Sequence, residues 1–163
     1  MLYPIGIQSF EKIRTGGFVY VDKTELIYSL AASGQYYFLS RPRRFGKSLL
    51  VSTMEAYFSG RKELFEGLAM ESLEKDWVSY PVLHLDLTGA AYLSVDELYS
   101  KLNSFLSKYE ERYEIRTGEH VASVRFENII DTAYRKTGQK VVILIDEYEK
   151  PIIDNIDNPE LME

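Results

Sequence analysis

No cysteine occurs among the 163 residues. That excludes a disulfide framework and any thiolate metal site, and it fits a reducing, cytoplasmic interior. Histidine is nearly as scarce: His84 and His120 are the two, which weighs against a zinc centre. No stretch approaches the roughly 20 apolar residues needed to cross a bilayer, so no membrane partner is expected. The amino-terminal MLYPIGIQSFEKIR has neither a basic leader nor a long apolar core, so it does not read as a secretory signal. Internal repeats, low-complexity tracts and linker-like runs are also missing, and the chain is treated as one unit.

Positive charge is in deficit overall, at a net −6, which argues against a free-standing nucleic-acid binder. Its distribution is uneven. Residues 1–60 carry seven Lys/Arg against four Asp/Glu, a net +3, and the remainder carries twelve against twenty-one, a net −9. Four of the early positives, Arg41, Arg43, Arg44 and Lys47, lie within seven residues.

Strand-like and helix-like segments alternate along the chain. Phe18 to Val21 is a short β-branched and aromatic run, and Asp22 with Glu25 has capping-box spacing before a helix that Gly34 ends. Tyr36 to Leu39 is apolar and reads as a buried strand. A helix from about Lys47 to Phe58 follows, then two short helical pieces at 62–68 and 70–75. Val82 to Leu87 is a strand with Leu83, Leu85 and Leu87 on one face; His84 and Asp86 on the other suggest a place near a sheet edge. Ser94 and Glu97 open a long helix, and a further one runs from about Val121 to Lys136. Val141 to Ile145 is continuously apolar, the pattern of a strand buried on both faces. The alternation predicts an α/β fold with a parallel sheet flanked by helices.

Between the second of these strands and its helix lies SRPRRFGKS. Gly46-Lys47-Ser48 matches the end of the Walker A phosphate loop. A helix start offers unpaired N–H donors and a favourable dipole to a polyanion. Gly46 allows close approach, Lys47 can reach the β- and γ-phosphates, and the Ser48 hydroxyl can ligate Mg2+. The glycine that the pattern requires five residues before Gly46 is replaced by Arg41. The bland alternative is a basic turn with solvated arginines. Ninety-nine residues after Lys47, the strand VVILIDE ends in Asp146 and Glu147. Asp146 can hold a metal-bound water and Glu147 can act as general base, the Walker B arrangement. Alone, that segment could be a buried strand that happens to end in acids.

With RPRRFGKSLLVSTMEAYF, the upstream YVDKTELI and the downstream VVILIDEYEKP, the chain resembles the AAA-ATPase-like family of bacteria and archaea. The resemblance covers about Tyr3 to Pro151. It implies a P-loop NTPase fold of the additional-glutamate type that uses ATP and Mg2+. Lys47 and Glu147 would be catalytic, Ser48 and Asp146 would hold the metal, and Arg43, Arg44, Phe45, Gly46, Lys47, Ser48 and Leu49 would line the nucleotide site. Arg41 is a family trait. The same resemblance implies an additional strand between the two motif strands, and in many members a nuclease domain in cis. The tail after Glu147 carries Pro151 and Pro159 and offers no apolar run, so the chain is expected to be the amino-terminal part of a longer domain. Its incomplete sheet would invite self-association. Tyr20, Asp22 and Lys23 either line the adenine pocket or, for Asp22, cap a helix; the acids Glu149, Asp154, Asp157, Glu160 and Glu163 read as a solvated terminus rather than a metal cluster. Three functions stay open: an ATP-dependent enzyme or switch, a non-catalytic interaction module, and nucleic-acid binding through the arginine cluster.

Overall fold

The computed structural model describes residues 1–40, 45–89, 92 and 94–156. The chain groups into two compact units, Met1–Tyr80 and Pro81–Glu163.

The first unit is helical among its described residues. It contains α1 (Phe10–Thr15), α2 (Thr24–Ser33), α3 (Lys47–Phe58), a 3-10 turn at Lys62–Phe65 and α4 (Ala69–Leu73). Helix α1 has no counterpart among the sequence expectations. Its signals are local: the Ser9 side chain accepts from the Lys12 amide at the amino end, and Phe10 and Ile13 on one face are fully buried. The core of this unit is aromatic. The Phe10 ring lies 4.9 Å from Phe65 and 5.1 Å from Tyr20, and Phe65 lies 5.2 Å from Trp77. Met70, Leu64, Ile27 and Ala56 complete the buried cluster. Burying a side chain such as Phe10 contributes about 1.5–3 kcal/mol.

The strand expected at Tyr36 to Leu39 does not form. Phe18 to Val21 contributes a single parallel bridge, Leu2 to Phe18. Tyr36 to Leu39 forms no strand, and Tyr36 and Phe38 are 93% and 74% exposed. The physical reason is that an apolar run becomes a buried strand only within a sheet, and the sheet of the described residues consists of β1 and β2 of the second unit. Tyr37 instead turns its hydroxyl back on α2, donating to the Leu30 carbonyl.

The second unit holds the sheet: β1 (Val82–Asp86), α5 (Val95–Arg112), α6 (Ala122–Thr137), β2 (Val142–Asp146) and α7 (Lys150–Asp154). The strands are parallel and in register, Val82 with Val142 through Asp86 with Asp146. Thus Leu83, Leu85, Ile143 and Ile145 share one face. Ser94 caps α5 by accepting from the Glu97 amide, as its spacing predicted. Gly138, at φ 68°, ends α6 in the left-handed conformation that glycine tolerates best. Helices α5 and α6 pack on Leu83 through Leu106, Tyr109, Ile129 and Ala133.

The expectation that β2 is buried on both faces holds for one. Leu144 and Asp146 are buried, whereas Ile143 and Ile145 are 43% and 48% exposed. The helices cover the β1 half of that face and stop short of the β2 half.

An ion pair locks the helical layer. Arg125 on α6 donates to both carboxylate oxygens of Glu110 on α5 (2.8 and 2.7 Å), and also to Asn103 and Ser107. Both side chains are largely shielded, and the paired guanidinium holds the Glu110 carboxyl below its usual range. Arg125→Ala is expected to destabilise the chain by roughly 2–3 kcal/mol in urea unfolding. Because the folded-state pKa of Glu110 is depressed, its contribution is present above about pH 4.3, the unfolded value. It is lost as pH falls through the folded value, so the difference between wild type and Arg125→Ala should shrink in acid.

Candidate nucleotide-binding site

Each unit supplies one group of the candidate residues. In the first, Gly46 precedes α3 at φ 78° with no side chain capping the helix and no acid in its first turn. A Cβ at Gly46 would meet no atom within 4 Å, so glycine is needed there for its backbone and not for space. The first bond of the helix ladder runs from the Leu50 amide to the Gly46 carbonyl. The amides of Lys47, Ser48 and Leu49 are therefore those that an α-helix leaves outside its own ladder. Gly46, Lys47, Ser48 and Leu49 thus sit together at one helix start, with the exposed Phe45 just before it. Arg41, Arg43 and Arg44 lie outside the described residues.

The body of α3 is tied down firmly. Thr53 is fully buried and donates to the Leu49 carbonyl. Ser52 accepts the Phe10 amide at 2.9 Å, and Tyr57 donates to Glu74 at 2.6 Å. Burial and the Glu74 carboxylate both push the Tyr57 hydroxyl pKa up, so it stays a proton donor.

The YVDKT segment has a structural explanation. Asp22 accepts from the Thr24 amide and hydroxyl through one oxygen, and from the Ala69 amide through the other. The buried Thr24 hydroxyl in turn accepts the Met70 amide at 3.0 Å. Burial opposes ionisation of Asp22, but these donors and Arg14 outweigh it and hold the carboxyl below its ordinary range. Asp22 therefore serves the amino ends of two helices, α2 and α4. The capping box expected with Glu25 is replaced by this clamp, because Thr24 offers Asp22 two donors in one turn.

In the second unit, Asp146 ends β2 and is 6% exposed. Its carboxylate accepts the Glu147 amide at 3.0 Å, and its carbonyl accepts the Leu87 amide. Asp86 stands beside it in register at the same end of the sheet. Glu147 has φ 54°, a left-handed conformation that costs a non-glycine residue about 1–2 kcal/mol. Such strain at the end of a buried strand is characteristic of functional turns. Among the described residues no group of three or more acidic, histidine or cysteine side chains is clustered for a metal.

A set of residues that sequence reasoning did not single out holds the turn after Glu147. Asp154 accepts from Lys150 at 2.7 Å and from the Tyr92 amide at 3.1 Å. Tyr92, 1% exposed, donates to the Leu87 carbonyl at the end of β1. Asn155 donates to the Pro151 carbonyl. Asp154 is thus a half-buried fastener and not a solvated tail acid, and Glu149 is half-buried; Asp157, Glu160 and Glu163 lie outside the described residues. Pro151, which interrupts a strand pattern, sits in the first turn of α7, where its missing N–H costs nothing. The available sequence signal was the i, i+4 spacing of Lys150 and Asp154.

The class defined by this geometry is an α/β chain with a two-stranded parallel sheet flanked by helices. Residues 4–163 match the family model described as "Predicted AAA-ATPase", and the chain belongs to this AAA-ATPase-like family. It is also similar to a protein of Azotobacter chroococcum mcd 1 named "Uncharacterized protein in vnfD 5'region", with 41% identity over 160 residues. That alignment covers 97% of this chain and 31% of the relative, so the chain spans about a third of the relative's length. No solved structure matches.

Two substitutions separate structure from chemistry here. Asp22→Ala should cost about 1–2 kcal/mol of stability, read from thermal unfolding, by releasing two helix starts. Glu147→Gly removes the left-handed strain, so stability should hold or rise by up to about 1 kcal/mol in the same measurement.

Proposed function

We infer that this chain is the nucleotide-binding part of a P-loop ATPase of the additional-glutamate type. The observation that carries this reading is the start of α3: a left-handed glycine, no acid in the first turn, and helix amides outside the ladder, followed at once by Lys47 and Ser48. That donor set suits a polyphosphate and would repel little of its charge. Lys47 would neutralise the β- and γ-phosphates, and the amides of residues 46–49 would orient them. The oxygen donors Ser48 and Asp146 suit Mg2+, a hard cation that when bound draws charge from the phosphates. Glu147 would take a proton from the attacking water, and its turn is fastened by Lys150, Asp154 and Tyr92.

The exposed Phe45 and the half-buried Leu49 flank the phosphate-binding amides. Arg43 and Arg44 would add charge to the same anion. A nuclease domain in cis, and the partner on which such an ATPase acts, belong to the longer chains of the family. The net charge of −6 disfavours nucleic acid as a direct ligand of this part.

Calorimetric titration with Mg-ATP tests the reading. Saturable binding is expected, weakened at least about tenfold in Lys47→Ala. Glu147→Gln should retain the affinity, and in any chain with turnover it should lower the hydrolysis rate by about 10²-fold or more. A non-catalytic interaction module predicts no change in Lys47→Ala, so indifference to that substitution would count decisively for it.

A further inference from the structure

The outer edge of β1 is only partly closed. The Val142 amide bonds to the Pro81 carbonyl and the Leu87 amide to the Asp146 carbonyl, so the main-chain groups of His84 and Asp86 face away from β2. The His84 amide is taken by the hydroxyl of Tyr109, 2.8 Å away on α5, and Tyr109 is itself 2% exposed. Two residues further on, the Asp86 amide points the same way, and among the described residues it donates to nothing.

A cleft of about 190 Å³ opens between this strand and the helix, lined by His84 and Asp86 of β1 and by Lys101, Ser104, Phe105 and Lys108 of α5. The four α5 positions recur at helical spacing and share one face. The Lys108 ammonium stands 5.4 Å from the centre of the Tyr109 ring, beside the closed part of the edge. Among the described residues neither Lys101 nor Lys108 is ion-paired, with Asp86 or with any other acid. Acids are in excess in this chain, 25 against 19 Lys and Arg, so the lack of a partner is not for want of carboxylates. Asp86 Oδ1 accepts the Thr88 amide at 2.8 Å, and its Oδ2 accepts no hydrogen bond among the described residues. Three charged groups therefore border one cleft without touching each other. Its donors are two ammonium groups, the Ser104 hydroxyl and a main-chain N–H, and the second oxygen of Asp86 is an acceptor among them.

We propose that this cleft binds a phosphate group that has a hydrogen to give: free hydrogen phosphate, or the phosphate of a small hydroxylated molecule. Lys101 and Lys108 neutralise its charge, a role that suits the compact ammonium. The Ser104 hydroxyl and the Asp86 amide donate to its oxygens, and hydrogen bonds to an ionised acceptor are the strong ones. Asp86 Oδ2 accepts the remaining O–H of the ligand. That carboxylate makes the site selective as well as attractive. Sulfate has the same shape and charge but no hydrogen near neutral pH, so it would set a bare oxygen against Asp86 and be rejected.

The inference does not depend on nucleotide binding, so the test is run without nucleotide or magnesium. Inorganic phosphate, glycerol phosphate and sulfate are titrated into the chain at constant ionic strength, and the amide resonances are followed by NMR. Both phosphates should move the Asp86 and Ser104 amides saturably, and sulfate should bind at least about tenfold more weakly. Phosphate held at the start of α3 would move the amides of residues 46–49 instead, so the two sites are read separately in one experiment. Replacing both Lys101 and Lys108 by Gln should weaken phosphate at least about tenfold, with the spectrum itself reporting that the fold is kept. Asp86→Asn should remove the preference for phosphate over sulfate. Lys140→Gln, at an exposed position before β2, should change neither. Tighter binding of glycerol phosphate than of inorganic phosphate supports a phosphorylated small molecule as the ligand, and the reverse order supports free phosphate. Shifts at Asp86 and Ser104 that do not saturate overturn the proposal. So does a wild-type chain that takes sulfate as well as phosphate, or a response that survives loss of both lysines.

Discussion

A helix can bury its flank and still begin with amides that lie outside its own ladder, and the first unit is organised around that separation in α3. Thr53 and Ala56 sink one side of the helix into the aromatic cluster of Phe10, Phe65 and Tyr57. Ser52 ties the same helix to the start of α1. None of these contacts reaches the amino end, where Gly46 turns the chain in and the ladder begins only at Leu50. Packing therefore fixes where the helix start points, while the start itself keeps its capacity for an anion. The Asp22–Thr24 clamp works in the opposite sense. It spends a carboxylate and a hydroxyl on the starts of α2 and α4.

The second unit applies a comparable division to a strand. Along β2 the residues facing one way, Leu144 and Asp146, are buried, and those facing the other way, Ile143 and Ile145, are not. The acid that would serve a metal is thus carried on the protected side. The left-handed turn at Glu147 follows immediately; beyond it Asp154 of α7 accepts the Tyr92 amide, and Tyr92 donates to the Leu87 carbonyl at the end of β1. At Glu147 itself the amide donates to the Asp146 carboxylate and the carbonyl accepts the Lys150 amide, which hold the turn.

Much of this was legible in the residues. The helix starting at Lys47, the Ser94 cap, the Gly138 stop and the parallel strands β1 and β2 all follow from local pattern, because capping and periodicity are properties of a few adjacent positions. The segments that departed from expectation depend on partners far away in sequence. Tyr36 to Leu39 has the composition of a buried strand, but composition does not supply the neighbouring strands that would bury it. The alternate exposure of Ile143 and Ile145 has the same origin, since the reach of α5 and α6 over the sheet is not written in β2. Asp22 was read as the cap of α2; Lys23 holds that position and Asp22 accepts the Thr24 amide from one residue before it, and its second task at Ala69, 47 residues on, is a tertiary fact. For the candidate site, the residue types were readable from the two motifs, whereas the left-handed turn at Glu147 and the Tyr92 fastening were not.

Trp77 stands against Phe65 and Tyr57 in the core of the first unit, and it is the only tryptophan of the chain. The second unit has none, so indole emission reports the integrity of the α3 surroundings without contribution from the sheet. Far-ultraviolet ellipticity, by contrast, sums helices from both. Comparing the two signals along a denaturant series resolves whether the Met1–Tyr80 and Pro81–Glu163 units melt as one cooperative body or in sequence, with no label introduced.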